Sequence, residues 1–595
     1  MSPAPDQIPA SPADQPDSGP PPRGAGGSGI SAEKSEAFKR RYLDPLVEDR
    51  ADPRITWGLL ALATLASLVY CLWVTRGTTF SGDELTWVSL SPTMDLRTAL
   101  EPHSGHLVLV SHLLYKWILE TLGSSYVIFR LLTLITVYLS VWLLFAWGRK
   151  RVGDFLALAP CLVLLFFGSD TGHLLQGNGF TIMLAIACGL LALLALERET
   201  RGGDLVACLA LCLGVITYTV ALAFLAAALI AVLISRDRWR RIWVVAIPIA
   251  IYLAWRVWVL TGDVDITRGG VEPAYIVLLP VWTFQSLSGI LNALSGFHFN
   301  FGSGGGWLPP GEMAGPALAL IFVVWIGWRI SRGGLSSWFW VAMAAAVAMF
   351  ASQVLSWIPD VREPGTSRYL FPGVVVVLLV AFEAARGYRP DRAAFIAIWA
   401  VALTGFATNA AIIKSSGNAL RERAPQVKSE VTAATLLDEA LPYFPGPSAK
   451  PLAELVSAPG IPLVGPAEHE YGGIGYSRAE IASQPDPVRT LIDSVMAQSF
   501  GFTLVPHQGG KPAGCETVTA GADGSATAPV PPGGAVLSSK TGGTVSIRRF
   551  SSSVSTTVGD LPPIRPMTLP VPADSDPTPW QIMVQSPRLT VCPIG

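Results

Sequence analysis

ITWGLLALATLASLVYCLWVT, residues 55–75, is an apolar run without a charged residue, bounded by Trp57 and Trp73. About 20 apolar residues suffice for a helix to cross the hydrocarbon core of a bilayer, and Trp is enriched where such a helix meets the headgroups. The run reads as a first membrane span. Upstream lies the basic stretch KRRYLDPLVEDRADPR, residues 39–54, which holds the N-terminus on the cytoplasmic side. The opening MSPAPDQIPASPADQPDSGPPPRGAGGSG has too little apolar surface to offset chain entropy and reads as disordered. It lacks the short apolar core of a signal peptide, so the first span is expected to serve as an uncleaved anchor.

Downstream, apolar runs alternate with short basic loops. GRKRVG (148–153), ERETRGGD (197–204), RDRWRR (236–241), RISRGG (329–334) and RGYRPDR (386–392) mark one side; SDTGHLLQG (169–177) and PDVREPGTSR (359–368) mark the other. Spans follow at 55–75, 126–147, 154–168, 178–196, 241–260, 314–330, 337–357, 369–385 and 394–413. Asp204 to Ser235 begins and ends at basic loops, so it reads as two short helices meeting in a turn near ITYT (216–219). That makes eleven. The run YIVLLPVWTFQSLSGILNAL (275–294) is followed by GFHFNFGSGGGWLPPGE without a basic residue, so it reads as interfacial or re-entrant.

Composition agrees with this reading. Of 595 residues 51% are hydrophobic and only 14% charged, which excludes an ordinary soluble protein, and a net charge of −1 gives no reason to expect a nucleic-acid partner. The fold class is therefore a polytopic α-helical membrane protein, with a disordered segment 1–50, a transmembrane domain 51–413 whose outer loop 76–125 holds interfacial helices, and an extracytoplasmic segment 414–595. The last contains strand-like stretches GFTLVP, TVSIRRF and RLTVC between turn signals and reads as a small β-rich domain behind a helical linker at 424–441. Its two cysteines, Cys515 and Cys592, would pair outside the cell; Cys71, Cys161, Cys188, Cys208 and Cys212 lie in apolar runs and read as small hydrophobes.

Chemistry-bearing residues gather on the outer side. FSGDELTW (80–87) follows the first span directly, and its Asp83 and Glu84 could provide a general base or simply a solvated helix start. EPHSGHLVLVSHLLYKWILETLG (101–123) supplies Glu101, His103, His106, His112 and Lys116; the histidine spacing makes no metal signature, and a divalent cation is at most an option for Asp83, Glu84 or Glu101. Its latter half has the periodicity of an interfacial helix. REPGTSRYLFPG (362–373) places Arg362, Arg368 and Tyr369 at a helix mouth, where a guanidinium can bind a lipid phosphate or reach to headgroups; Arg130 and Arg256 admit the same two readings. GSGGGW lacks the helix and lysine of a phosphate-cradling loop.

GDE at 82–84, EPHSGHLVLVSHLLYKWILETLGSSYVIFRLL at 101–132 and SRYLFPG at 367–373 together resemble the GT-C superfamily of membrane glycosyltransferases, in particular its actinobacterial branch, over about residues 55–413. The resemblance implies a polyprenyl-phosphate sugar as donor, an envelope glycan, lipid or protein as acceptor, and inversion at the anomeric carbon. It implies Asp83 as base with Glu84 as its substitute, Arg368, Tyr369, Arg256 and Arg130 toward the donor phosphate, and Glu101, His103, His106 and Lys116 toward substrate. No organic cofactor is implied. The second outer loop offers Asp170 as its further acid. The rival readings are a glycolipid-binding protein without catalysis, a flippase or transporter, or a scaffold of envelope assembly. Transport predicts ionisable residues near the midplane and repeated halves, and the sequence has neither.

Overall fold

The computed structural model describes residues 52–262, 272–297, 310–358, 362–440, 456–457, 460–510, 512–552, 556–571 and 576–594. The segment 1–50, His298 and the glycine-rich loop near 302–306 lie outside them. The chain is mostly helical, with many long apolar helices and a small β region at its C-terminal end.

α1 (Pro53–Val74) leads into three short helices, α2 (Asp83–Leu90), α3 (Leu96–Leu100) and α4 (Leu109–Leu122). The bundle continues with α5 (Tyr126–Val152), α6 (Asp154–Leu165), the short α7 (Thr171–Leu175), α8 (Phe180–Leu196), α9 (Arg201–Thr217), α10 (Ala221–Ile234), the short α11 (Arg238–Arg241) and α12 (Trp243–Thr261). α13 (Leu279–Ser295), α14 (Pro310–Arg332), α15 (Ser337–Leu355), α16 (Ser367–Ala384) and α17 (Arg392–Ala440) complete it. Among the described residues ten helical segments are long and apolar enough to cross a membrane. These include Pro273–Ser295; the paired α9 and α10, expected from the charge pattern around ITYT, are shorter.

Ion pairs define one end of the bundle. Arg151 is fully buried and donates to Glu383 on α16 at 2.6 Å and to Glu197 after α8 at 2.8 Å; Arg241 holds Asp204 at 2.6 Å, and Arg329 donates to the Ala384 carbonyl at 2.7 Å. A buried guanidinium is tolerable only when its donors are used, and Arg151 also lies 3.7 Å from the Trp147 ring centroid. The basic loops of the sequence therefore form one cross-linked layer, the basic end. The opposite end holds α2, α3, α4 and the 168–179 turn.

α13 does not run from end to end. The Glu272 amide before it donates to the Leu355 carbonyl at the far end of α15, and Gly315 near the start of α14 abuts the Ser288 carbonyl of α13. Because α14 and α15 both have their opposite ends in the basic layer, the chain enters and leaves α13 on the same side. Its tip reaches inward, with the Ala293 carbonyl accepting from Asn409 and Gly296 against Gly405 on α17. The eleven expected spans compare with ten helical segments among the described residues that are long and apolar enough to cross a membrane, Pro273–Ser295 among them.

α17 runs unbroken through the domain boundary expected at 413, so the helical linker is a continuation of the last span. Behind it lie three helices not anticipated in a β-rich tail: α18 (Gly465–Tyr471), α19 (Arg478–Ser483) and α20 (Asp486–Phe500). Ser477 and Glu480 form a capping box that starts α19. Nine antiparallel strands follow, β1 (Val505–Pro506), β2 (Glu516–Thr519), β3 (Ala526–Pro529), β4 (Gly533–Ser538), β5 (Gly543–Arg548), β6 (Thr556–Leu561), β7 (Met567–Val571), β8 (Gln581–Val584) and β9 (Arg588–Pro593). They form sheets of order β1-β7-β4-β9-β2 and β3-β8-β5-β6 around a core containing Leu537, Val545, Ile547, Leu569, Ile582 and Leu589. Cys515 and Cys592 form the expected disulfide, joining the start of β2 to β9.

Candidate functional site

The site begins with Gly82. Its φ of 58° lies in the left-handed region, which costs glycine little, and this bend starts α2 immediately after buried Phe80. Successive helix residues point in different directions, so adjacent Asp83 and Glu84 part company. Glu84 faces inward and is fully buried. Its carboxylate accepts from the Ser81 amide at 2.9 Å, the Asn178 amide at 2.9 Å and the Tyr126 hydroxyl at 3.1 Å. Gly177 makes room for it, since a Cβ there would stand 2.7 Å from Oε1. Burial, only partly offset by these three donors, raises its pKa to about 7. Glu84 is thus a clamp between α2 and the 176–178 turn.

Asp83 faces the other way. Its side chain is 55% exposed, and its Oδ2 stands 3.4 Å from Nε2 of His103, a direct approach at the long end of hydrogen-bond range. His103 owes its place to a two-residue hairpin: Ser104 (φ 51°) and Gly105 (φ 85°) let His103 and His106 exchange backbone hydrogen bonds of 3.0 and 2.9 Å. The Nδ1 of His106 lies 2.7 Å from Thr219 Oγ1, and its ring packs 4.5 Å from that of Tyr218. Burial first, and then the positive charges of Arg362, His103 and Arg368, push the His106 pKa down to about 3; burial pushes that of His112 down to about 4. Both imidazoles are neutral at physiological pH and cannot act as cations toward a phosphate.

Arg362 is buried and holds the hairpin, donating to the carbonyls of Ser104 and Ser356 at 3.2 Å each. Arg368 and Tyr369 are half-buried in the first turn of α16, with the guanidinium carbon 5.6 Å from the Tyr369 ring. Charges at Asp83, Arg362 and Arg368 all act on His106 and on Tyr218, whose phenol is pushed up by burial, so these side chains are grouped around the same pair of rings. Trp87, one turn after Asp83, packs edge-on against His103, His112 and Tyr115 at 5.1–5.9 Å.

The other sequence candidates are placed elsewhere. Glu101 is exposed at the end of α3, and Lys116 donates to the Ser91 carbonyl at 3.0 Å and pairs with Glu120 at 3.3 Å, tying α4 to α2. Arg130 is 1% exposed and donates to the Gln176 carbonyl, on the Glu84 side of α2. Arg256 is half-buried on α12, next to Trp255, whose indole donates to the Leu100 carbonyl. Asp170 is buried, pairs with His173 at 2.9 Å and accepts from the Phe371 amide, fastening the 168–175 turn to α16 behind Arg368. Sequence reasoning did not single out Trp87, Tyr218 or Thr219. Trp87 was accessible from its i, i+4 relation to Asp83, whereas the turn at 218–219 gains meaning only from a partner 113 residues away.

Among the described residues no group of three or more His, Cys, Asp or Glu side chains is arranged to hold a metal ion. No protein-family model matches the sequence, and no curated protein matches it at a significant level.

Proposed function

We propose that this chain is a membrane glycosyltransferase that moves a sugar from a polyprenyl-phosphate donor to an envelope glycan, lipid or protein acceptor at the extracytoplasmic face. The observation that carries the reading is an exposed carboxylate, Asp83, beside the His103–His106 hairpin that Arg362 holds, at the end of the bundle opposite the basic layer. The positive-inside rule assigns that basic layer to the cytoplasm of the plasma membrane. The N-terminus is then cytoplasmic, and Asp83, the hairpin beside it and the C-terminal region are outside. Half-buried or exposed apolar side chains on α4, among them Leu113 and Trp117, suit a helix lying in the interface beside a lipid substrate.

In this mechanism Asp83 accepts the proton of an acceptor hydroxyl while its oxygen attacks the anomeric carbon. The bond from that carbon to the phosphate oxygen breaks on the opposite face, and polyprenyl phosphate leaves with its electron pair. Arg368, at the positive end of the α16 dipole, stabilises the charge that grows on the phosphate. Arg362 and His103 position the hairpin and the base. Glu84 keeps α2 in place without touching substrate.

The test is transfer from radiolabelled polyprenyl-phosphate pentoses and hexoses by reconstituted protein. The Asp83→Asn substitution is expected to lower turnover by about 10²–10⁴-fold, the usual worth of a positioned general base, with an unchanged melting temperature. Wild-type protein that binds donor without transferring it would instead support glycolipid binding alone, and retained turnover in Asp83→Asn would remove Asp83 from the mechanism.

A further inference from the structure

The C-terminal region contains a second concavity that the proposed transfer does not use. It has a volume of about 410 Å³ and lies between α19, the first turn of α20, the end of β5 and the turn at 576–578. Such a volume falls within the range of small-molecule sites and accommodates one sugar ring. Arg478, Arg489 and Arg549 line it with Asp576 and Thr578, while Ala479, Ile481, Ala482 and Pro577 give it an apolar wall.

The three guanidiniums differ in their commitments. Arg549 is 6% exposed, donates through Nε to the Thr578 carbonyl at 2.7 Å, and lies 5.3 Å from the Trp580 ring and 5.6 Å from the Phe550 ring. It is a fixed part of the floor. Arg489 uses one terminal nitrogen on Asp486 at 3.0 Å and Ser552 Oγ at 3.4 Å, but its buried Nε finds no hydrogen-bond partner among the described residues. A buried, unsatisfied donor costs about 1–3 kcal/mol, and the guanidinium that carries it lines the cavity. Arg478 reaches the rim from α19, 45% exposed, with Nε 3.6 Å from Asp576.

We infer that this cavity binds a monosaccharide-sized anion, a sugar ring bearing a carboxylate or phosphate, with its charged group on the Arg489 and Arg478 guanidiniums and its ring against the Ile481 and Pro577 wall. Guanidiniums present planar pairs of donors that match carboxylate and phosphate oxygens. The inference is independent of the transfer reaction, since it concerns binding by a separate part of the chain.

Binding to the full-length protein in detergent, followed by calorimetry and saturation-transfer NMR, tests it. The probes are glucuronate, glucose 6-phosphate, neutral glucose and inorganic phosphate. Saturable binding of glucuronate, glucose 6-phosphate or both is expected, weakened about tenfold or more by Arg489→Gln, the equivalent of one charge-assisted contact. Glucuronate alone would assign a carboxylated sugar, and glucose 6-phosphate alone a phosphorylated one. Arg478→Gln, on an exposed rim position, provides a second variant if Arg489→Gln fails to fold, and it too is expected to weaken binding. The inference is overturned by absence of saturable binding of both charged sugars, by equal affinity in the folded variants, by equal binding of glucose, or by inorganic phosphate binding as tightly as glucose 6-phosphate.

Discussion

Replacing Glu84 with Gln isolates the cost of ionising a buried clamp. In the folded protein this carboxyl titrates at about 7, against an ordinary value of 4.5, so over that interval the folded state holds a proton that the unfolded state has released. Stability therefore falls as pH rises through the window 4.5 to 7. At about 1.36 kcal/mol for each pH unit, the full effect is roughly 3 kcal/mol between pH 4 and pH 8. The neutral glutamine retains one oxygen acceptor for the Ser81 or Asn178 amide and removes the titration. It also sets an NH₂ group against the remaining donor, which lowers stability by about 1–3 kcal/mol at every pH. The assay is the apparent melting temperature of detergent-purified protein, followed by intrinsic tryptophan fluorescence, for wild type and Glu84→Gln across pH 4.5–8. The variant is expected to be the less stable at pH 5 and to close the gap, or overtake, by pH 8. A gap between wild type and variant that stays constant over this range would refute the reasoning, because it would mean that Glu84 titrates alike in both states.

Three further outcomes follow from the same geometry. Replacing one partner of the buried Arg151–Glu383 pair, as in Glu383→Gln, leaves Arg151 with Glu197 as its remaining carboxylate and is expected to lower stability by about 1–3 kcal/mol, read as yield of folded protein by size-exclusion chromatography. Gly177→Ala places a methyl group 2.7 Å from Glu84 Oε1 and 2.9 Å from Phe129 Cβ and is expected to cost about 1–3 kcal/mol in the same melting assay, with the loss only partly relieved in a Glu84→Ala background because the Phe129 contact remains. Cys592→Ser opens a loop of 77 residues and should destabilise the sheets by about 4 kcal/mol, seen as earlier proteolysis of the C-terminal region while the bundle stays intact.

The helical bundle was legible because lipid imposes a coarse code: long apolar runs, and basic loops on one side. Helix α17 was cut at 413 because KSSGNALRER (414–423) reads as the polar end of a span, although it contains nothing that breaks a helix before Pro425. The helices at 465–500 were hidden by their proline and glycine content, yet the SRAE capping box and Pro487 at the second position of α20 were local signals. At the site the limit was different. Which of two adjacent acids is buried depends on Asn178 and Tyr126, and the role of Arg362 depends on Ser104, 258 residues distant. No local pattern encodes such pairings.

The length of α17 has a consequence of another kind. A single helix of 49 residues is about 73 Å long, so it acts as a graduated spindle on which the C-terminal sheets are mounted at a set height and heading. Losing or gaining one residue between 414 and 424 would turn everything beyond it by about 100°. Helical propensity would tolerate that change. The contact of Gly460 with Thr86 and of Ser124 with the Gly472 carbonyl would not, because both require the returning chain to meet α2 and α4 at one azimuth. Residue number in this stretch is thus fixed by geometry near Asp83, and insertions there should be absent from functioning versions of the chain even where substitutions abound.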